Sequence, residues 1–92
     1  MFIKLEDSEQ NQTYYFEWST ISDAPNSQVV TDFGAFFFMY NQLGYTNFQE
    51  DLKNLKETGV SSPHYTLEEL LECSDDFDTV EKLLDFCRTF AK

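Results

Sequence analysis

The sequence predicts an α+β fold in which an N-terminal antiparallel β-hairpin or small sheet packs against three to four helices. Two segments near the N-terminus alternate apolar and polar residues, as half-buried strands do. From residue 31 onward, apolar residues recur at three- and four-residue spacing between residues that cap or terminate helices. The chain has 92 residues and neither repeats nor a compositional boundary, so we expect one domain covering residues 1–92.

The predicted hairpin pairs the strands Phe2–Glu6 and Tyr14–Trp18 across a polar turn, and residues 19–27 are expected to form a loop. Successive strand residues point to opposite faces of a sheet. We therefore expect four apolar side chains on the buried face, namely Ile3, Leu5, Phe16 and Trp18. Tyr15 and Glu17 are then expected on the solvent face. A slip of one residue would expose the tryptophan, so the register should be firm.

The first predicted helix covers Phe33–Leu43. Thr31 or Asp32 can cap its start, and Gly44 stands where a left-handed residue ends a helix. The aromatic run Phe36–Tyr40 would also suit a buried strand. We favour the helix because cap and stop signals lie on both sides of the run.

Three further helices are predicted: one from Thr46 or Asn47 to near Gly59, a short one from Thr66 to Cys73, and a last one along the stripe Val80, Leu83, Leu84, Cys87 and Phe90. Thr66 and Glu69 have the spacing of a capping box, in which each side chain bonds the backbone amide of the other residue. The short helix should therefore begin at a defined position.

Charge restricts the classes of partner. Seventeen Asp and Glu against six Lys and Arg give a formal net charge of -11, which opposes direct binding to nucleic acid or to an anionic membrane surface. The segments Leu5–Leu52 and Glu57–Glu81 each hold eight acidic residues and no Lys or Arg. The expected partner is therefore basic. No apolar run approaches the roughly 20 residues that span a bilayer, so we expect a cytoplasmic protein.

Seven acidic residues cluster around the last two predicted helix starts: Glu68, Glu69, Glu72, Asp75, Asp76, Asp78 and Glu81. Acidic side chains near a helix N-terminus gain about 0.3–1 kcal/mol from the helix dipole, which can explain each of them singly. Their sum is harder to explain because uncompensated charge destabilises a compact chain by self-repulsion. We therefore predict that these seven residues bind the partner, since carboxylates at such density can imitate phosphates.

Aromatic residues are a second source of contacts, since the chain has ten Phe, five Tyr and one Trp. Tyr14, Tyr15, Tyr45 and Phe38 are candidates for exposed anchors in an interface. Most of the sixteen aromatic residues should nevertheless lie in the core.

The remaining residues argue against an enzyme. Cys73 and Cys87 fit no metal or redox spacing, and we expect both as reduced, buried thiols. His64 follows a proline and is expected in a solvated loop. The cluster Asp75–Asp78 with Glu81 lacks the glycine and the alternating ligands of a calcium-binding EF-hand loop. We therefore expect no catalytic residue, no metal and no cofactor.

The segment Glu17–Pro25, Glu-Trp-Ser-Thr-Ile-Ser-Asp-Ala-Pro, resembles a segment of small bacteriophage proteins in which a strand leads through an Asp-Ala-Pro turn into a helix. The aromatic run Phe36–Tyr40 departs from the glutamate-rich first helix of those proteins. As a class, the chain is similar to phage-encoded anti-CRISPR and anti-restriction inhibitors, which are short, acidic, mixed α and β and without catalytic motifs. The resemblance implies blockade of a host nucleic-acid-binding defence complex, but it transfers no individual binding residue.

Two functions are therefore predicted. The first is a non-catalytic phage-type inhibitor whose acidic, DNA-mimicking surface binds a basic protein or ribonucleoprotein, such as a CRISPR effector or a restriction nuclease, in the host cytoplasm. The alternative is an acidic adaptor or oligomerisation module that binds through the aromatic helix Phe33–Leu43. The two differ in salt dependence, because screening weakens charge recognition and has little effect on apolar burial.

Overall fold

The computed structural model describes all 92 residues, Met1–Lys92, and contains three β-strands followed by four α-helices. This confirms the predicted α+β fold with an antiparallel sheet at its N-terminus. In chain order the elements are β1 (Phe2–Asp7), β2 (Gln12–Ser19), β3 (Ala24–Pro25), α1 (Phe33–Gln42), α2 (Phe48–Thr58), α3 (Leu67–Glu72) and α4 (Val80–Phe90). No helix combines the length and the apolar character needed to cross a membrane.

The sheet has the order β1-β2-β3 and is antiparallel throughout. Ile3 lies opposite Phe16, which is the pairing expected if both face the same core. The short third strand pairs Pro25 with Trp18, so part of the predicted loop 19–27 belongs to the sheet. The proline is tolerated because β3 lies at the edge, where its missing N–H interrupts no further pairing.

One face of the sheet is covered by α3 and α4. The first core, as we call it, consists of twelve buried residues: Ile3, Leu5, Tyr14, Phe16, Trp18, Val29, Val60, Leu70, Leu71, Leu83, Leu84 and Cys87. The four hairpin residues predicted for the buried face all belong to it. Burial of the amphipathic faces of α3 and α4 is what holds these two helices in place.

The other face of the sheet is covered by α1 and α2. The second core consists of seven buried residues: Phe2, Tyr15, Val30, Phe36, Met39, Tyr40 and Leu55. Phe2 and Tyr15 alternate with the first-core residues along their strands, so they point to the opposite side of the sheet. The pair α1 and α2 and the pair α3 and α4 therefore lie on opposite faces of one sheet.

This second helical layer overturns the predicted solvent face of the hairpin. Tyr15 is 8% exposed and stacks on Phe36 with ring centroids 4.7 Å apart. Tyr14 is buried as well, in the first core. Neither tyrosine is an exposed anchor, because helices that are distant in sequence cover both sides of β2. Of the two residues predicted on the solvent face, Glu17 alone stays partly exposed.

The predicted cap and stop signals are confirmed. The Asp32 carboxylate accepts a backbone N–H from the first turn of α1, and a Cβ on Gly34 would lie only 2.9 Å from it. Gly44 and Gly59 have φ values of +85° and +82°, which end α1 and α2 in the left-handed region that favours glycine. Gly59 also lies against the Lys4 carbonyl, where a Cβ would come within 3.2 Å. The aromatic run is thus helical, as predicted.

The last helix buries less of its stripe than its spacing predicts. Leu83, Leu84 and Cys87 are buried, whereas Val80 and Phe90 at the two ends are exposed. Burial also raises the pKa of the Cys87 thiol to about 12. The other cysteine, Cys73, is exposed at the end of α3, so the prediction of two buried thiols is wrong there.

Candidate functional site

The predicted acidic residues lie along α3, the loop that follows it and the first turn of α4. We call the seven residues predicted for partner binding the acidic surface: Glu68, Glu69, Glu72, Asp75, Asp76, Asp78 and Glu81. All seven are exposed. They belong to the layer that α3 and α4 form over the first core.

A capping box sets the start of α3. The Thr66 hydroxyl accepts the Glu69 N–H at 3.2 Å, and the Glu69 carboxylate accepts the Thr66 N–H at 3.1 Å. Leu70 and Leu71 anchor the other side of this six-residue helix in the first core. Glu69 is therefore engaged within the helix, whereas Glu68 and Glu72 project without such a bond.

Side chains that point into the core hold the loop between α3 and α4 in place. The buried Ser74 hydroxyl accepts the Phe77 N–H at 3.1 Å. The Phe77 ring packs edge-on against Trp18 and Phe86, with centroids 6.5 Å and 5.2 Å away. The aspartates on either side of these anchors, among them Asp75 and Asp76, are exposed because the anchoring side chains point inward.

Two members of the acidic surface form ion pairs with basic side chains of α4. Lys82 donates to Asp78 at 2.7 Å and lowers the pKa of that carboxyl. Arg88 donates to Glu81 at 3.1 Å. Asp78 precedes α4 and is bonded one turn along, and Glu81 is bonded two turns along. Both acids are exposed, so these pairs contribute little to stability.

The acidic surface consequently contains two kinds of carboxylate: those bonded to another group of the protein, and those without an internal partner, which we call free. Glu69, Asp78 and Glu81 have partners in the protein. The other four form none of the six ion pairs and no side-chain hydrogen bond: Glu68, Glu72, Asp75 and Asp76. These four are the carboxylates that a basic partner can reach without breaking an internal contact.

The strongest ion pair lies away from the acidic surface and was missed by the sequence analysis. Asp7 is 2% exposed and receives two bonds from Arg88, 2.7 Å from Nε and 3.0 Å from Nη2. Tyr14 and the Gln10 N–H also donate to it, at 3.3 Å each. Led by the Arg88 bond, these donors lower the pKa of Asp7 to about 2. A signal was available, because Asp7 follows Ile3 and Leu5 at two-residue spacing on the buried face.

On the other side of the molecule, tyrosine hydroxyls donate hydrogen bonds to the acidic side chains that lie near α1. Tyr40 donates to Asp51 at 2.6 Å, and Tyr45 donates to Glu17. Burial and these carboxylates raise the pKa values of both hydroxyls. Tyr45, predicted as an exposed anchor, is thus half-buried and bonded, whereas Phe38 is 64% exposed, as an anchor must be.

The largest concavity of the surface is polar. It measures about 540 Å³, lies at the β1–β2 turn and is lined by Glu6, Asp7, Ser8, Asn11, Gln12 and Thr13. Small-molecule sites are mostly apolar with a few convergent polar groups, which this concavity does not resemble. No group of three or more His, Cys, Asp or Glu is arranged to hold a metal ion. His64 is exposed in its loop, where it was predicted.

No family model, curated protein or solved structure matches this chain. The functional argument therefore depends on the arrangement of its own side chains.

Proposed function

We propose that this protein is a non-catalytic inhibitor whose acidic surface occupies a basic nucleic-acid groove on a bacterial defence complex. The partner class is a CRISPR effector or a restriction nuclease, and the site of action is the host cytoplasm. The protein itself would be encoded by a phage.

The observation that carries this proposal is the set of free carboxylates on the acidic surface. Glu68, Glu72, Asp75 and Asp76 are exposed and without an internal partner, within a segment (57–81) that contains no Lys or Arg. Lysines and arginines of a nucleic-acid groove can therefore approach them without competition from the protein's own cations. Such complementarity speeds association and selects basic partners.

Rigidity of the segment supports the same proposal. The capping box of α3 and the anchoring of Phe77 hold the acids on a folded surface before binding. A preorganised surface loses less conformational entropy on association than a disordered acidic tail does. The carboxylates can therefore act as a fixed imitation of a phosphate row.

Competition with DNA tests the proposal directly. The assay measures displacement of a fluorescent duplex from a purified Cas9–guide RNA complex and from a restriction nuclease, by anisotropy. We expect displacement from at least one of them, with weaker inhibition as salt rises from about 50 to 300 mM. No displacement from either, or inhibition that does not change with salt, would contradict the proposal.

A matched pair of variants locates the inhibitory surface. The first replaces the four free acids by amides: E68Q, E72Q, D75N and D76N. The control removes the same number of charges from exposed or half-exposed acids elsewhere: E6Q, D23N, E50Q and E57Q. We expect the first variant to lose about tenfold or more in affinity, roughly 1.4 kcal/mol, and the control to lose much less. Equal losses in the two variants would mean that net charge, and not the acidic surface, governs binding.

The exposed phenylalanines of α1 favour a second candidate, an adaptor or oligomerisation module that binds through that helix. Its partner binding would depend on Phe38 and would change little with salt, since apolar burial is not screened. The same salt titration, repeated with F38E, therefore separates the two functions.

A further inference from the structure

Helix α1 has an apolar face that the second core covers only in part, where Phe37 packs edge-on against Phe48 with ring centroids 4.8 Å apart. Its inner face, with Phe36 and Tyr40, is buried against the sheet. The outer face follows the spacing i, i+3, i+4, i+7, which places residues on one side of a helix. We call this set the α1 outer face: Gly34, Phe37, Phe38 and Asn41. Phe37 and Phe38 are 44% and 64% exposed, and Phe33 beside them is 45% exposed.

The sequence positions around this face carry no charged residue. Residues 33–49, seventeen consecutive positions, contain no Asp, Glu, Lys or Arg, although 25% of the whole chain is charged. Depletion of charge around exposed aromatic residues is the compositional sign of an interface core. The polar side chain on the face is already satisfied, since Asn41 donates to the Phe37 carbonyl at 3.0 Å. Apart from the Asp32 carboxylate at its N-terminus, which accepts the Ala35 N–H, this helix carries no charge that an interface would bury.

The spacing of the outer face suits a two-fold axis. Its four positions are symmetric about the midpoint between Phe37 and Phe38. If two α1 helices packed antiparallel about that midpoint, Phe37 of one copy would meet Phe38 of the other. Gly34 would then meet Asn41 of the second copy, beside the Asp32 carboxylate that fills the space next to Gly34. The face is therefore complementary to itself.

The available area fits a weak dimer. At about 200 Å² per phenylalanine side chain, the exposed fractions of Phe33, Phe37 and Phe38 provide roughly 300 Å² of apolar surface per copy. A standard interface buries about 800 Å² per partner, about 65% of it apolar in homodimers. The three side chains thus supply more than half of the apolar area that such a dimer requires.

The neighbouring helix can supply a polar rim of both signs. Helix α2 exposes Lys53 and Lys56, neither of which forms an ion pair, together with Glu50 and Glu57. In a two-fold interface, the lysines of one copy can face the acids of the other. The protein's unpaired helical lysines therefore lie in the same helical layer as the apolar face.

We propose that the α1 outer face binds a second copy of this chain, forming a two-fold dimer. This inference deepens the second candidate function and rests on its placement of binding at α1, because it names the occupant of that face. It is compatible with the inhibitor as well. Since α1 and α4 cover opposite faces of the sheet, a dimer joined at α1 leaves both acidic surfaces exposed.

Sedimentation velocity of the full chain tests the dimer. We expect the mass to rise from 10.8 kDa towards twice that value between about 5 and 300 µM. Dimerisation should strengthen as salt rises, because screening reduces the repulsion between two chains of charge -11. A monomer at every concentration and salt level would overturn the proposal.

A pair of Phe→Glu variants locates the contact. F38E places a charge on the outer face and should weaken dimerisation by about tenfold or more. F90E changes a residue that is 56% exposed on α4, on the other layer, and should leave dimerisation unchanged. Circular dichroism checks that both variants are folded. Equal weakening by F38E and F90E would overturn the proposed interface.

The failure of the dimer can be distinguished from the failure of the second candidate function. If the chain is monomeric but F38E abolishes binding to a different protein, the dimer is excluded while the function through α1 stands. If the chain dimerises and F38E abolishes the dimer, the inference is supported. The DNA competition assay reports on the acidic surface independently of both results.

Discussion

The acidic surface and the α1 outer face lie on opposite sides of one sheet and differ in almost every physical respect. The first carries seven exposed acids, four of them without an internal partner, on a short helix, the loop after it and the first turn of α4. The second carries exposed phenylalanines on a helix without a charged residue. Added salt should weaken partner binding at the acidic surface, because screening weakens attraction to a basic groove. It should strengthen dimerisation at the α1 outer face, because screening also weakens the repulsion between identical chains. One small chain can therefore separate charge recognition from apolar association.

The largest expected effect distinguishes the two faces of α1 itself. Phe36 is fully buried and its ring packs against Phe2, Tyr15 and Tyr40. F36A removes that packing and should lower the free energy of unfolding by about 3–5 kcal/mol, measured by urea denaturation. The matched variant F38A, on the outer face, should change it by less than about 0.5 kcal/mol. A similar loss in both variants would mean that Phe38 is part of the core.

The next effect separates a buried carboxylate from an exposed one that is bonded by the same arginine. Asp7 is buried and bonded by Arg88, so D7N leaves a partly buried cation without its main partner. We expect the Tm at pH 7 to fall by roughly 10 °C in a calorimetric scan. D85N alters an exposed partner of the same arginine and should lower the Tm by less than about 3 °C. Equal shifts would show that burial does not determine the strength of these pairs.

Titration with acid sharpens the same distinction. Because the folded pKa of Asp7, about 2, lies below the ordinary value near 3.9, this carboxyl stabilises the folded state above about pH 4. That contribution is lost as the pH falls from about 4 towards 2. The difference in Tm between the wild-type protein and D7N should therefore be constant from pH 7 to 5 and shrink below pH 4. A difference that stays constant down to pH 2 would contradict the assignment.

The smallest effect concerns the helix caps that position the acidic surface. T66A removes the hydroxyl that caps α3 and should cost about 1 kcal/mol in chemical denaturation. T79A removes the corresponding cap of α4, where the Thr79 hydroxyl accepts the Lys82 N–H, and is the matched control. Amide hydrogen exchange should rise along α3 in the first variant and along the first turn of α4 in the second. Uniform exchange across both helices would mean that the caps act only on global stability.

Local signals were sufficient to predict most of the elements. Asp32, Gly44 and Gly59 mark helix ends through bonds and dihedral angles formed within a few residues of themselves. The capping box of Thr66 and Glu69 is likewise local and was predicted correctly. The exposure of the acidic surface followed from its charge, because burying unpaired carboxylates is very unfavourable.

Other features depended on distant parts of the chain. Tyr15 is buried because α1 packs on the face of the hairpin that was predicted to be solvent-exposed, and no pattern within β2 predicts that contact. Asp7 is held by Arg88, 81 positions away. The exposure of Cys73 depends on where α3 ends over the first core.

By itself, the sequence determined the α+β class, the starts and ends of the helices, and the exposed acidic segment, because these depend on local backbone bonds and on the hydration of charge. Only the tertiary structure decided that helices cover both faces of the sheet. It also decided which carboxylates are bonded and which are free, and that an uncharged aromatic face lies opposite the acids. Such choices follow from packing between residues far apart in the chain, where many pairings satisfy the same periodicity and only one fills both cores.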